Sequence, residues 1–532
     1  MKGKGMFFRN LCLLVLFLIC CFVYQDAARP IAEAGDASAP RKELVFVNYR
    51  DIRDLNPHLY AGEMYAQTMI YDRLIDVTAD GYRGALAESW EIADGGKTYT
   101  FKIRDGVRFS DGETCDAHAI KANFDAILEN KERHTWLEMM HLLESVEAVD
   151  DLTLRIRLRA PYFPMLTELG VTRPFGMISP KAMKNGSTKD GVNAYIGTGP
   201  YKLTDFVRDE YAVFEINEHY WGRKPAIEKI TVKVIPDNQT RILALEKGEI
   251  DLIFGKNEID AEAINKYRAG DKFAVALSQA TSTRQIVLNT THEILKDPAV
   301  RRALQHATDR KTVSEGVFYG VEKPADTLFA RTIPYCDIDL EPYAYDMETA
   351  GKLLDEAGWK LEKNVRVKDG KKLELGLLYN SNSVTERTIA EYLQSEYAKL
   401  GVAVNIKGEE EQSYRDNMKA GNFDMVFNIC WGTPYDPQSS LAAMRQRVYG
   451  DYAAQLGLHD KKEIDAAITK VMTTTDKKER QALFTFVLTR LHEDAVYIPL
   501  TYECNKAVFR SDLKDVTFNP SQYEVPFWRM HF

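Results

Sequence analysis

Two short segments of the 532-residue chain set arginine beside aromatic side chains, Lys131-Glu-Arg-His-Thr-Trp136 and Val171-Thr-Arg-Pro-Phe175, and a third, Trp431-Gly-Thr-Pro-Tyr-Asp-Pro437, adds a tryptophan and a tyrosine. A guanidinium grips a carboxylate through paired hydrogen bonds, and a tryptophan or tyrosine supplies a flat wall with few rotamers to freeze. Such groups together suit an organic anion held in a desolvated cleft. Singly, each has an ordinary explanation: most arginines are solvated or surface-paired, and a tryptophan is as readily a core residue. Catalytic spacing is missing. No HExxH, calcium-loop pattern, GxSxG elbow, SxxK, phosphate loop or Cys and His cluster occurs, so the expectation is a binding protein and not an enzyme.

The chain must be long enough to bring those segments together. At 45% hydrophobic and 28% charged it has ordinary globular composition, with length for two or more cores. Its start reads as an export signal: Lys2, Lys4 and Arg9, an apolar run from Leu11 to Val23, then Ala27, Ala28, Ala32 and Ala34. The run is shorter than the ~20 residues of a spanning helix, so removal of residues 1–28 is expected. A lipid anchor on Cys20 or Cys21 is disfavoured because Ile19 and Cys20 are not the small residues that normally precede such a cysteine. Losing three basic residues and Asp26 takes the formal charge from −9 to −11. That acidity excludes nucleic acid as an expected partner and suits a soluble monomer in the periplasm. Cys115, Cys336, Cys430 and Cys504 are scattered, with no CxxC metal pair and no disulfide scaffold.

Alternating stretches at Glu43-Leu-Val-Phe-Val-Asn48, Thr98-Tyr-Thr-Phe-Lys-Ile103 and Leu152-Thr-Leu-Arg-Ile-Arg-Leu158 predict half-buried strands. Helical spacing runs from Ala117 to Leu128 and from Pro298 to Thr308, the latter capped by Asp297. The fold class is therefore α/β, with mixed α+β lobes. No repeat or low-complexity segment interrupts it.

From Ala87 the chain resembles a known family. Ala87-x-x-Trp90 and Asp94-Gly-Gly-Lys-Thr-Tyr-Thr-Phe-Lys-Ile-Arg-Asp-Gly-Val-Arg-Phe-Ser-Asp-Gly112 look like the hairpin of bacterial extracellular solute-binding proteins of the peptide and nickel class. Gly197-Thr-Gly-Pro-Tyr201, Asn217-Glu-His-Tyr-Trp-Gly222, Gly248-Glu-Ile-Asp-Leu252, Val300-Arg-Arg-Ala303 and Ala357-Gly-Trp359 follow in the family's order. These are turn and core residues, which identify a fold and not a ligand. The resemblance implies two lobes joined by a two-strand hinge, with the ligand cleft between them. The first lobe would cover about 35–282 with a C-terminal return at 504–532, and the second 283–503. It also implies delivery to the permease subunits of an ABC importer.

Within that family the three segments resemble the nickel-binding branch. The resemblance implies cleft roles for Arg133, Trp136, Arg173, Trp431 and Tyr435, and for Met64 despite a one-residue difference in its spacing from Tyr60. Pro434 stands where peptide-binding relatives carry an aspartate for the peptide's amino group. A bare ammonium buried there would be costly, which weighs against an ordinary peptide and leaves a peptide- or opine-type metallophore receptor of the same fold as the alternative. Tyr449 occupies the place of a metal-binding loop histidine, and a phenol with a pKa of about 10 is a poor nickel ligand near neutral pH. Arg415 takes the place of a cleft tyrosine and adds a charge. Of the ten histidines, His306 and His492 fall in helical patterns and His134 lies between Arg133 and Trp136. His58, in Asn56-Pro-His-Leu-Tyr60, is the remaining candidate metal ligand. The expected cargo is a nickel chelate, its donors supplied by a small carboxylate or histidine-type chelator and its anionic groups read by the protein.

Overall fold

The structure, a computed structural model, describes residues 41–532. The expected export segment, its cysteines and the first residues of the expected first lobe lie outside the described residues. Residues 42–532 form one compact unit.

A mixed sheet crosses this unit. Its path runs Tyr201–Val207, Tyr211–Ile216, Lys229–Val234, Glu43–Asn48, Leu252–Gly255, Tyr497–Arg510, Phe273–Leu288, Met425–Ile429, Glu374–Asn380 and Ala403–Glu409. Glu43–Asn48 has parallel neighbours on both sides. It is covered on both faces too: Leu44 and Phe46 pack with Phe214 and Phe527, and Val47 with Leu245 and Ile264. That double burial is why its apolar residues are not confined to alternate positions.

Two long antiparallel strands, Phe273–Leu288 and Tyr497–Arg510, sit mid-sheet and run through both of its halves. Phe273 to Leu277 pair with Arg510 to Lys506, whereas Ile286 and Val287 pair with Ile498 and Tyr497. Between these stretches the register shifts at Leu277/Ala280, Ala280/Ser282 and Arg284/Gln285. Such irregularities bend and twist a strand pair. The fold is two-lobed, mixed α/β.

A separate four-stranded antiparallel sheet orders Ala87–Ala93, Thr98–Ile103, Thr153–Leu158 and Leu143–Asp150. Its first hairpin turns through Asp94, Gly95 and Gly96, all at positive φ, and Thr98 Oγ1 donates to Asp94 Oδ2 at 2.6 Å. The helix Ala117–Glu129 packs on this sheet, and Asp297 caps Pro298–His306 by accepting from the Ala299 N–H. Cys115, Cys336, Cys430 and Cys504 are buried and free. No described helix is long and apolar enough to cross a membrane.

Candidate functional site

The three segments converge on one cavity of about 740 Å³, to which the first two bring an arginine each and the first and third their aromatic side chains. Each reaches it by a different local device. The helix Ala117–Glu129 ends at Asn130, and the 3-10 turn Lys131–His134 carries Arg133 to the rim and Trp136 to the wall. Pro174 excludes helical angles at the residue before it. Arg173 is accordingly extended (φ −118°, ψ 124°) within the short turn Thr172–Phe175.

The third segment is built around a buried acid. Asp436 accepts from the Gly432 N–H at 2.7 Å, the Cys430 Sγ–H at 2.8 Å and Ser440 Oγ at 2.5 Å, and Ser440 Oγ accepts from the Trp431 N–H at 3.0 Å. Gly432 takes φ +79°, and a Cβ there would collide with the Gln522 amide. Gln522 needs that space because its Nε2 donates to the Trp431 carbonyl at 2.8 Å. These bonds fix Trp431 and Tyr435 against the cavity.

The aromatic side chains interlock. Trp136 lies 6.2 Å from Trp431 and 5.7 Å from Tyr435, and Trp431 meets Tyr449 edge-on at 6.1 Å. A relay of hydrogen bonds orients Trp136: its Nε1–H donates to Tyr60 Oη at 2.7 Å, and the Tyr60 hydroxyl donates to His134 Nδ1 at 2.7 Å. His134 can accept because burial, helped by Arg133, lowers its pKa to about 4 and keeps the ring neutral. Burial raises Tyr60 to about 12, so the phenol keeps its proton.

Charge in the cavity is unevenly matched. Lys256 binds Glu503 at 2.7 Å, and Arg415 binds Glu411 at 2.6 Å. Neither Arg133 nor Arg173 has a carboxylate within ion-pair distance among the described residues. Arg173 donates Nη1 to the Gly62 carbonyl at 3.1 Å and stands over the Tyr60 ring at 5.6 Å, while its Nε is buried without a partner. Burial pulls its pKa below the usual arginine value. A guanidinium desolvated in this way keeps hydrogen-bonding capacity for an anion.

Met64, Arg415 and Tyr449 also line the cavity. His58 does not. It is 1% exposed, its Nδ1 pairs with Thr188 Oγ1 at 2.8 Å, and burial with His134 nearby lowers its pKa to about 3. His306 and His492 hydrogen-bond backbone carbonyls of Ala344 and Glu341. Among the described residues no group of three or more His, Cys, Asp or Glu is placed to hold a metal ion. Lys256, Glu386, Asn428, Gln522 and Tyr523 line the cavity without having been singled out in the sequence. They come from separate strands, helices and the C-terminal segment, and no local pattern marks them.

The family profile described as bacterial extracellular solute-binding proteins, family 5 Middle, matches residues 81–450. The chain belongs to that family. Among curated proteins, this solute-binding protein is 40% identical over 482 residues to the nickel-binding periplasmic protein of Escherichia coli (strain K12), covering 90% of this chain and 92% of that one. Among solved structures it superposes on NikA from Brucella suis in complex with Fe(III)-EDTA with a TM-score of 0.89 at 46% identity, covering 92% and 99% of the two chains. NikZ from Campylobacter jejuni in complex with Ni(L-His) gives a TM-score of 0.75 at 25% identity, covering 93% and 100%.

Proposed function

We propose that this protein captures nickel, or a related divalent metal, as a complex with a small carboxylate or histidine-type chelator, and delivers it to the membrane permease of an ABC importer. The observation that carries the reading is the pair of cleft arginines without counter-ions, set among Tyr60, Trp136, Trp431 and Tyr435. Arg133 and Arg173 would each take a carboxylate of the chelate, and the aromatic rings would cover its flat faces. Nickel accepts nitrogen and oxygen donors, which the chelator supplies, so recognition acts on the complex. The relatives named for nickel and those solved with metal chelates support the same choice of cargo.

In this reading residues 35–282 with 504–532 form one lobe and 283–503 the other, and the two close on the chelate by bending at the paired long strands. The mature protein acts as a monomer outside the cytoplasmic membrane after loss of residues 1–28. Titration of the purified protein with Ni(II) and L-histidine, or Ni(II) and a tricarboxylate, should quench tryptophan fluorescence and raise the melting temperature. Mass spectrometry of protein from metal-replete medium should find the metal and its chelator together. Binding across a dipeptide library with no response to any nickel chelate would overturn the proposal.

A further inference from the structure

The cavity holds one carboxylate among its described lining residues, Glu386, against four basic side chains. Its Oε2 accepts from the Asn380 N–H at 2.9 Å. Among the described residues Oε1 finds no hydrogen-bond partner, and no cation lies within ion-pair distance of either oxygen. Glu386 is three residues after the N-cap Ser383, the spacing of a capping box, in which the glutamate returns to the N-cap backbone N–H. Here that N–H is already taken, because Ser383 donates to the Asn380 carbonyl at 2.8 Å. The carboxylate instead leans toward the end of the strand Glu374–Asn380, and Asn380 itself lines the cavity.

Burial raises the Glu386 pKa, and the charges acting on it are Arg284, which lowers it, and Glu503, which raises it. Glu386 reaches the cavity from the helix Val384–Ala398, whereas Arg133 and Arg173 reach it from Lys131–His134 and Thr172–Phe175, and neither forms an ion pair with it. A cargo presenting carboxylates on every side would meet the two arginines favourably and Glu386 unfavourably. One with carboxylates toward the arginines and an N–H donor at the other end would satisfy all three.

We infer that Glu386 is a specificity-determining residue that accepts a hydrogen bond from an amine N–H of the chelator, so that the preferred cargo is a metal complex of an amino-acid-type ligand over one of carboxylates and tertiary amines alone. The inference rests on the chelate reading of the cavity. A primary amine keeps two N–H donors when its lone pair binds the metal, and a carboxylate acceptor makes such a bond stronger than a neutral one.

Calorimetric titration of the wild-type protein and of Glu386→Gln with Ni(II)-L-histidine and with Ni(II)-EDTA, whose nitrogens carry no N–H, tests this. Glutamine still accepts from Asn380. The variant should lose about tenfold or more in affinity for the histidine complex, the scale of a charge-assisted hydrogen bond, and lose nothing for the EDTA complex. Nickel with α-N,N-dimethyl-L-histidine should bind the wild-type protein more weakly than nickel with L-histidine, a comparison that needs no variant. Equal loss for both complexes in Glu386→Gln, or equal affinity for the two histidines, would overturn the inference while leaving the chelate reading standing. If the wild-type protein binds none of these nickel complexes, the chelate reading fails and takes the inference with it.

Discussion

Arg173 is held where burial disfavours its charge and no acid answers it, which sets ligand affinity against stability at one side chain. Replacing it with methionine keeps much of the volume and removes the uncompensated charge. Arg173→Met should therefore melt no lower than the wild type without ligand, yet bind nickel-histidine more weakly by ~1.5–3 kcal/mol, the worth of hydrogen bonds to a charged group. A large drop in the ligand-free melting temperature would show that the arginine serves the fold instead. Glu168 poses the opposite case, an acid with no place in the cavity. Burial raises it to about 7 although it accepts from the Tyr162 hydroxyl at 2.6 Å and the Met139 N–H at 3.1 Å. Its folded pKa exceeds its unfolded one, so the folded state binds this proton more tightly. The stabilisation is complete below the unfolded value of about 4.3 and is lost as pH rises through 7. Glu168→Gln should gain on the wild type by up to ~4 kcal/mol as pH goes from acid to mildly alkaline. Melting curves of both proteins across that range check it, and a gap independent of pH would refute it.

At the scale of elements, the crossing strands carry a buried charge network. Glu503, 1% exposed, meets Lys256 and Arg284 and accepts from Ser282 Oγ at 2.6 Å; Glu322 lies 3.7 Å from both Arg284 and Lys506. Burial alone would raise the Glu503 carboxyl, but Lys256 and Arg284 hold it well below the usual range. Glu503→Ala would leave those two cations buried against each other and should cost ~3–5 kcal/mol in urea unfolding, with an unchanged m-value. A loss below ~1 kcal/mol would mean that water replaces the carboxylate. Nothing local in the sequence announces this network, because Glu503 meets Ser282 and Arg284 from 221 and 219 residues away. What was legible is what is local: the Asp297 cap, the Asp94 to Gly96 turn, and the segments around Arg133, Arg173 and Trp431. Lys256, Glu386 and Gln522 reach the cavity through tertiary packing and were not. His58 shows the same limit, since its type and neighbours suggest a ligand while its Nδ1 is engaged by Thr188, 130 residues away.

For the whole molecule, the question is what favours closure beyond the cargo itself. In the proposed division Phe163 belongs to the first lobe and Arg480 to the second, and the Arg480 guanidinium lies 3.6 Å from the centre of the Phe163 ring. Tyr335 and Phe484 flank it at 5.1 and 5.2 Å, the Phe163 N–H donates to the Met472 carbonyl at 2.9 Å, and Arg480 has no carboxylate within ion-pair distance among the described residues. Burial lowers the Arg480 pKa to about 10, a sign of how much solvation this cation gives up at the contact. The Phe163 face offsets part of that cost only while the two segments touch, so in the proposed division the contact would act as a second clasp away from the cavity. A desolvated cation–π contact is worth ~1–2 kcal/mol. If the ligand-free protein spends most of its time open, Phe163→Ala lowers the closed population and with it the apparent affinity for chelate by about 5- to 30-fold, with no ligand contact altered. Small-angle scattering should then give the variant the same radius of gyration as the wild type at saturating chelate, reached only at higher chelate concentration. An unchanged binding curve would mean that the Phe163 and Arg480 contact persists in the open form and that closure depends on the cavity alone.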